Sequence, residues 1–419
     1  MTFLTTLIFI GAISAAEVTT AKTDVTVDKI MAQLATSEAQ LKANPSSANA
    51  ATAVATDLSA LGSYLATRGQ SGDAEQALTH FTASLQLRET VLKNRPDEPA
   101  AASAVSASLN EIGSFLVRRR QPGDADKAFA HFTRSLELAE GIAKKAPTHA
   151  GAARDVCASL DRLATFLSGR GQEGDLDKAA DYFTRALENT ERAYKEKPES
   201  AAAARDLALC LEHFGSFIAA NGDDADAITA RGHFTRSLEL REALLKKEPD
   251  SAVASREVSI ALEKLADFLV VQSKPEETEA TLGYFTRSVE LREALLKAAP
   301  TNAQAARDLS VGLNKLGDYL ATLGKPEDIK KALAHFTRDL EISERLLKAD
   351  PASAQAVHDV VVSHYKLAHF ARSTGQTKEE ELHFRACFDL LKRSLGQKMT
   401  FDPSTMRLFE GLTEHFKDK

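Results

Sequence analysis

Apolar residues recur along most of this chain at the spacing of a helix face, and the pattern restarts every 51 residues. One unit shows it at Leu309, Leu313, Leu316 and Leu320. Spacings of this kind predict a first helix over 302–323, which Gly324 ends. Pro326 opens a second helix over 326–349, which stops before Pro351 because the residue preceding a proline disfavours the helical conformation. Each unit therefore predicts a pair of helices joined by a short turn.

Several positions keep this register through the chain. Prolines that end second helices stand at 45, 96, 147, 198, 249, 300 and 351. A phenylalanine recurs in the second helix: Phe81, Phe132, Phe183, Phe234, Phe285, Phe336 and, three residues early, Phe384. A small residue recurs in the first helix, two positions before an aromatic one: Gly62, Gly113, Ala164, Gly215, Ala266, Gly317 and Ala368. The chain therefore predicts seven two-helix units, with a leading helix over 27–44 and a short trailing helix from Pro403.

The motif inside each unit resembles that of the tetratricopeptide repeat family. It reads Leu313-x-x-Leu316-Gly317-x-x-Leu320, then Ala332-x-x-x-Phe336-x-x-Asp339, then a helix-ending proline. The family's usual unit has ~34 residues, whereas here the turn and both helices are longer. The resemblance covers residues 24–395. It implies an all-α fold, a right-handed helix-turn-helix repeat solenoid (a TPR-like superhelix) with a capping helix.

The N-terminus differs from the rest of the chain. Residues 3–13 are apolar and uncharged, and the small residues 14–16 supply a cleavage site of the kind found in secretory signal peptides. We assign 1–16 to a signal peptide, 17–399 to the solenoid of a leading helix plus seven repeats, and 400–419 to a C-terminal capping helix. We expect an exported protein, periplasmic or secreted. No Lys or Arg precedes the apolar run, so an uncleaved membrane tether and a cytoplasmic location stay alternatives.

Composition limits the classes of partner and of covalent or metal chemistry that the chain can have. The net charge of −7 and the pI near 5.9 disfavour nucleic acid, which requires a basic face. Cys157, Cys210 and Cys387 fall inside predicted helices without metal-like spacing, and an odd number of cysteines makes a poor disulfide framework. We predict that all three are small buried residues.

A histidine precedes the repeated phenylalanine in five units: His80, His131, His233, His335 and His383. Neighbouring helices pack ~8–10 Å apart, whereas two imidazoles on one zinc ion need their nitrogens within ~4 Å. We therefore predict no metal and no cofactor. The sequence also lacks an HExxH motif, a glycine-rich phosphate loop and a nucleophile beside a base, so we expect no enzyme.

Two sets of charges predict ion pairs. Glutamate precedes lysine by four residues in the second helices at Glu89–Lys93, Glu140–Lys144, Glu191–Lys195, Glu242–Lys246, Glu293–Lys297 and Glu344–Lys348. An arginine also follows the repeated phenylalanine by two residues, and a carboxylate lies early in each first helix. If stacked repeats bring the two together, they form a ladder of ion pairs between repeats: Arg134, Arg185, Arg236, Arg287 and Arg338 with Asp155, Asp206, Glu257, Asp308 and Asp359.

The resemblance implies that the first helices line a concave face on which a partner lies. Transferring the groove positions predicts partner contacts at Asn110, Asp161, Glu212, Glu263, Asp267, Asn314 and Asp318. We hypothesise that the acidic members form a strip that binds Lys or Arg of a basic segment; the alternative is that these positions are merely exposed. Loop arginines supply a second candidate patch, Arg118, Arg119 and Arg120, or serve solubility alone.

These observations predict a non-enzymatic scaffold that binds a protein or peptide on its concave face. It would bind no nucleic acid and no metal, and would contact a membrane only if the N-terminal segment stays uncleaved. The alternatives are a structural, self-associating solenoid and, with no supporting residues, a receptor for small molecules or lipids or an enzyme.

Overall fold

A computed structural model of the chain describes residues 25–146 and 151–417, and the predicted signal peptide lies outside these ranges. Within them the chain forms sixteen α-helices and a short 3-10 turn, Pro275–Glu277. The first eight helices are α1 Val25–Ala43, α2 Ala48–Arg68, α3 Asp73–Asn94, α4 Pro99–Arg119, α5 Asp124–Lys145, α6 Ala152–Arg170, α7 Asp175–Glu196 and α8 Ala201–Asn221. The others are α9 Asp224–Lys247, α10 Ala252–Gln272, α11 Thr278–Ala298, α12 Ala303–Leu323, α13 Pro326–Ala349, α14 Ala354–Ser373, α15 Thr377–Gly396 and α16 Pro403–His415.

The predicted all-α fold of tandem helix pairs is confirmed. Each first helix packs on the second helix of its pair, as in α12 with α13, and each second helix packs on the next first helix, as in α13 with α14. The bounds predicted from one unit match α12 and α13. Asn302 caps α12 by accepting hydrogen bonds from two backbone N–H groups of its first turn, and Gly324 ends it in the left-handed conformation at φ 72°.

The described residues divide into two compact units. The first holds residues 25–67 and 72–166, and the second holds 68–71 and 167–417. Each unit consists of stacked helix pairs of the same kind. The short segment 68–71 belongs to the second unit, where the Gly69 carbonyl accepts hydrogen bonds from the Thr400 backbone N–H and hydroxyl.

The repeated phenylalanine packs against the repeated small residue of its own pair. A Cβ added at Gly113 would stand 2.6 Å from Cε1 of Phe132, and one at Gly317 would stand 2.8 Å from the same atom of Phe336. Real Cβ atoms do not approach a ring this closely, so at these two positions glycine lets the helices meet, whereas the pairs with Ala164, Ala266 and Ala368 accommodate a methyl group. The small residue and the phenylalanine therefore fix the separation of the two helices.

The same phenylalanine also contacts the next pair. Its ring lies against the aromatic residue of the following first helix at centroid distances of 5.3–5.6 Å in Phe132–Phe166, Phe183–Phe217, Phe234–Phe268, Phe285–Tyr319 and Phe336–Phe370. Such contacts are typical of favourable aromatic pairs. One residue type at one position thus joins the two helices of a pair and joins that pair to its neighbour.

A small polar residue one turn later ties the pair together through the backbone. Ser237 donates a hydrogen bond from its hydroxyl to the Ala208 carbonyl at 2.7 Å, and Ser288 donates to the Ser259 carbonyl at 2.9 Å. All four residues are buried, so the bonds satisfy hydroxyls that have lost their contact with water. The sixth pair has an acidic residue, Asp339, at this position.

The second helices carry ion pairs that differ from the predicted ones. Arginine after the repeated phenylalanine contacts a glutamate of the preceding second helix in Arg134–Glu89, Arg236–Glu191, Arg287–Glu242 and Arg338–Glu293. The prediction that these glutamates pair with lysine four residues on, and that these arginines pair with first-helix carboxylates, is wrong. Stacking places equivalent second helices side by side, so a guanidinium reaches across to its neighbour.

We predict that Gly113→Ala destabilises the chain by about 1–3 kcal/mol, because the added methyl overlaps the Phe132 ring. Gly141→Ala in α5 is the matched control, since nothing lies within 4 Å of the added methyl. The control should stabilise the helix by roughly 0.5–1 kcal/mol. Urea unfolding of both variants measures the difference, and equal stabilities would contradict the assigned contact.

Candidate functional site on the first helices

The first helices of the second unit are joined by ion pairs between consecutive repeats. Arg205 contacts Glu257 at 2.9 Å, and Arg307 contacts Asp359 at the same distance. Arg256 contacts Asp308 through both Nε and Nη2. These three pairs form an arginine ladder, which corrects the predicted partners of the first-helix carboxylates. The arginine that each carboxylate meets lies on the preceding first helix and not after the repeated phenylalanine.

A second set of pairs runs parallel, about two to three helical turns further along the same helices. Lys315 contacts Asp267, and Lys366 contacts Asp318 at 2.5 Å. We call these pairs the lysine ladder. Asp267 and Asp318 keep 43% and 48% of their side-chain area exposed, so they lie at the surface as predicted. Each carboxylate is nevertheless neutralised by a lysine of its own chain.

Aliphatic side chains occupy the surface between the two ladders. Leu209 and Val311 are 44% and 48% exposed, and Ile260 and Val362 at the equivalent positions are half-buried. We call these four residues the aliphatic row. The same position is also exposed in the first three repeats, where Thr56, Ala107 and Ala158 occupy it. The sequence carried this signal at the 51-residue period, but the groove positions transferred from the family did not include it.

Two members of the predicted acidic strip are buried. Glu212 and Glu263 are each 4% exposed, and they contact Arg241 and Arg292 at 2.7 Å. Both arginines lie on the second helices and are buried as well. The hypothesis that Glu212 and Glu263 form part of an exposed strip is wrong. Successive residues of a helix point in directions about 100° apart. One residue can therefore lie on the open face while the next points between two helices.

The asparagines of the predicted site also lie inside the fold or at its edge. Asn110 is 7% exposed, and its Oδ1 atom has no hydrogen-bond partner among the described residues. Asn314 is half-buried beside Asp339, and its Oδ1 atom likewise meets no donor in the described part of the chain. Asp161 is half-buried in the first unit. The structure therefore brings only Asp267 and Asp318 to the surface beside the aliphatic row.

Asp339 is a fully buried carboxylate without a cation. Its Oδ1 atom accepts from the Ser310 hydroxyl, and its Oδ2 atom has no donor within the described residues. Burial raises the pKa of this carboxyl, and the hydrogen bond of Ser310 and the nearby polar groups of Ser363 and Asn314 oppose that effect. The first five repeats place serine or alanine here, and the seventh places Cys387. The sixth pair therefore carries a buried carboxylate where the other described pairs have an uncharged residue.

Aromatic rings lie at the two groove positions of the last repeat. Tyr365 is 37% exposed, and its ring centroid lies 4.3 Å from that of His369. Both rings contact Phe384 of α15. Beside them, Nδ1 of His364 and Nδ1 of His383 are hydrogen-bonded at 3.0 Å, and burial lowers the pKa of His364 to about 4. In the last repeat, the aliphatic row is thus followed by a cluster of packed aromatic rings.

The second candidate patch is smaller than predicted. Arg119 donates from Nε and Nη2 to both carboxylate oxygens of Asp124, and the pair is largely buried. This contact lowers the pKa of Asp124. Arg118 and Arg120 remain exposed in the first unit, with Arg120 in the left-handed conformation at φ 55°. Arg119 therefore stabilises the loop, and two arginines are left for a partner.

The repeated histidines and the three cysteines pack inside the fold. His80, His131, His233, His335 and His383 are half-buried, and burial lowers the pKa of each. In ranges 25–146 and 151–417, no three His, Cys, Asp or Glu residues gather as a metal site would require. The three cysteines are buried, as predicted. Among the described helices, α4 alone has the length and composition to cross a membrane, and 61% of that window is buried inside the protein.

Comparison with known proteins gives matches among solved structures only. No family model and no curated protein matches the chain. The nuclear import adaptor Nro1 of S. pombe is similar over 75% of this chain and 99% of its own, at 11% identity and a TM-score of 0.46. BtubC (BKLC) of P. vanneervenii is similar over 67% and 94%, at 18% identity and a TM-score of 0.44. TTC0263, a tetratricopeptide repeat protein of Thermus thermophilus, is similar over 62% and 98%, at 15% identity and a TM-score of 0.35.

These identities and TM-scores support no transfer of function. The class of fold rests on the helix pairs themselves, on the phenylalanine that packs against a small residue, and on the repeat of this contact. The chain has an all-α, tetratricopeptide-like helical repeat fold. Its candidate site is the aliphatic row of the second unit, flanked by the two ladders.

We predict that Glu263→Gln destabilises the chain by about 3–5 kcal/mol, because Arg292 is left buried without a carboxylate. Glu293→Gln removes the carboxylate of an exposed pair with Arg338 and should cost no more than about 1 kcal/mol. Denaturant unfolding at neutral pH compares the two variants. Similar losses in both would show that burial does not govern the strength of these pairs.

Asp339 should make stability depend on pH. Because its folded pKa lies above the unfolded value, stability falls as pH rises from that ordinary value through the raised one, and is flat above. Asp339→Asn cannot ionise and its amide can donate to a buried acceptor. We expect it to stabilise the chain by about 1–3 kcal/mol at neutral pH and to remove this dependence. Unfolding measured from pH 4 to 8, with Asp318→Asn as the surface control, checks both effects.

Proposed function

We propose that this chain is a non-enzymatic scaffold that binds a segment of a partner protein along the first helices of its second unit. The observation that carries the proposal is the aliphatic row. Leu209 and Val311 expose close to half of their area at positions where nothing in the fold requires an apolar residue. The equivalent positions of the first three repeats hold small or polar residues, which shows that the fold tolerates them.

The ladders make this surface suitable for an apolar ligand. The charges of the two ladders already have partners in their own chain, so a ligand does not have to neutralise them. Full burial of one leucine or valine side chain is worth about 1.5–3 kcal/mol. Exposed apolar residues arranged in this way and bordered by charges are typical of interaction surfaces. Leu209 and Val311 supply most of the exposed apolar surface of the row, and Ile260 and Val362 extend it.

The spacing of the row suggests the form of the ligand. Adjacent helices pack ~8–10 Å apart. A polyproline II segment advances ~3.1 Å per residue with three residues per turn, so every third side chain would meet the next member of the row. A helix advances ~1.5 Å per residue, so residues seven apart would do the same. We propose a ligand with aliphatic or aromatic residues at one of these spacings and with Tyr365 and His369 receiving its end.

The basic ligand that the sequence predicted has weaker support than a ligand with apolar residues. Two carboxylates of the proposed acidic strip are buried with arginine, and two more are paired with lysine. Export to the periplasm or the exterior, supported by the apolar N-terminal run, stays part of the proposal, as does the concave position of the site. Self-association through the row is the second candidate, because a second copy could present its own exposed apolar residues.

We predict that peptides selected from a random display library on the purified chain will carry apolar residues three or seven positions apart. The paired change Leu209→Gln and Val311→Gln should weaken their binding at least ~10-fold, because the apolar contacts it removes are worth roughly 1.4 kcal/mol or more. Binding should change little between low and high salt, since the ladders are neutral. Fluorescence anisotropy with the selected peptides gives the affinities.

Ile228→Gln and Leu382→Gln form the matched control, because both residues are more than 60% exposed in the same unit and lie outside the row. The control should bind as the unchanged chain does. Equal weakening by both paired changes would remove the row as the site. Strong salt dependence, with selection of Lys and Arg, would restore the acidic hypothesis, and concentration-dependent dimers lost in the row variant would favour self-association.

A further inference from the structure

A cleft of about 600 Å³ opens in the first unit. Four helices surround it, α1, α2, the end of α3 and the start of α4. Its walls combine small apolar residues, including Ala53, Val91 and Ala104, with polar and charged ones. Among the charged residues are Asp57 and Arg88. A cleft of this size is large enough for a small molecule.

Arg88 is a half-buried guanidinium in the wall of this cleft that contacts no carboxylate in the described residues. Its Nη1 atom donates to the Ser108 hydroxyl at 2.7 Å and to the Ala104 carbonyl at 3.4 Å. Its Nε atom has no partner within the described part of the chain. Burial lowers the pKa of Arg88, and the charge of Glu111 acts against this effect. A buried cation without a directly bonded anion is costly.

Two other repeats of the chain show which partner Arg88 lacks. Arg241 and Arg292 occupy the same repeat position as Arg88, and each pairs with a glutamate 29 residues earlier, Glu212 and Glu263. At the equivalent position the first pair has Ser59, which is too short to reach Arg88. The Ser59 hydroxyl donates instead to the Glu111 carboxylate at 2.5 Å. The first pair therefore keeps the arginine and lacks the carboxylate.

A second polar group of the cleft also lacks a partner. The Oδ2 atom of Asp57 is buried and accepts no hydrogen bond from the described residues. No ion pair joins Asp57 to Arg88 within those residues. The two walls thus offer an acceptor that needs a donor and a cation that needs an anion. A molecule that carries a carboxylate and an amino group or hydroxyl would satisfy both.

We propose that this cleft binds a small organic carboxylate, whose carboxylate group pairs with Arg88 as Glu212 and Glu263 pair with the equivalent arginines. An amino or hydroxyl group of the same molecule would donate to Asp57, and its carbon chain would lie against Val91 and the alanines. The site does not depend on the aliphatic row, which belongs to the other unit.

The test is calorimetric titration of the full chain with glutarate, L-glutamate and inorganic phosphate. We expect both carboxylates to bind, L-glutamate more tightly because its amine meets Asp57, and phosphate to bind at least ~10-fold more weakly than either. Arg88→Met should weaken carboxylate binding by about 10–100-fold, the value of a charged hydrogen bond. Lys127→Met, which removes an exposed cation of the same unit outside the cleft, should leave it unchanged.

A second variant supplies the missing carboxylate from within. Ser59→Glu combined with Glu111→Lys copies the arrangement of Glu263 and Lys315, which lie 3.7 Å apart. It should raise the melting temperature of the free chain and abolish glutarate binding, whereas Glu111→Lys alone should keep that binding. The proposal fails if no carboxylate binds at millimolar concentration or if binding survives in both variants. Phosphate that binds as tightly as glutarate overturns the carboxylate assignment.

Discussion

The contact between a phenylalanine and a residue of minimal size controls the architecture of this chain. In the pairs with Gly62, Gly113 and Gly317 the ring occupies the space that a side chain on the first helix would fill, and the same rings meet the aromatic residue of the next pair. Helix separation within a pair and stacking between pairs therefore depend on the same ring. The long helices, the turns and the surface charges can vary only as far as this contact allows.

Stacking at a fixed spacing explains the ion pairs. Equivalent helices of consecutive repeats lie side by side, so a charged residue meets the matching region of its neighbour and not a residue one turn along its own helix. Arg205 with Glu257 and Arg338 with Glu293 follow this rule on the two kinds of helix. The ladders neutralise the surface locally although the chain carries a net charge of −7. What distinguishes one repeat from another is then the set of side chains between the ladders.

The two units differ in what their first helices offer. In the second unit the exposed central position is aliphatic, as at Leu209 and Val311, which favours an apolar segment as ligand. In the first unit the corresponding residues are small, and the distinctive feature is an arginine, Arg88, without the glutamate that its equivalents have. The repeat supplies a common framework in which single substitutions create sites of different chemistry.

The sequence by itself determined the helices, their order and their pairing, because periodic apolar positions, turn glycines and prolines all repeat every 51 residues. It also marked the buried phenylalanines and cysteines. Only the tertiary structure decided which side of a first helix is open. Glu212 and Asp267 look alike in the sequence, yet one is buried with Arg241 and the other is exposed beside Lys315. Their repeat positions are four residues apart, about 40° around the helix, so the packing of neighbouring helices and not the helical pattern decides which of the two is covered.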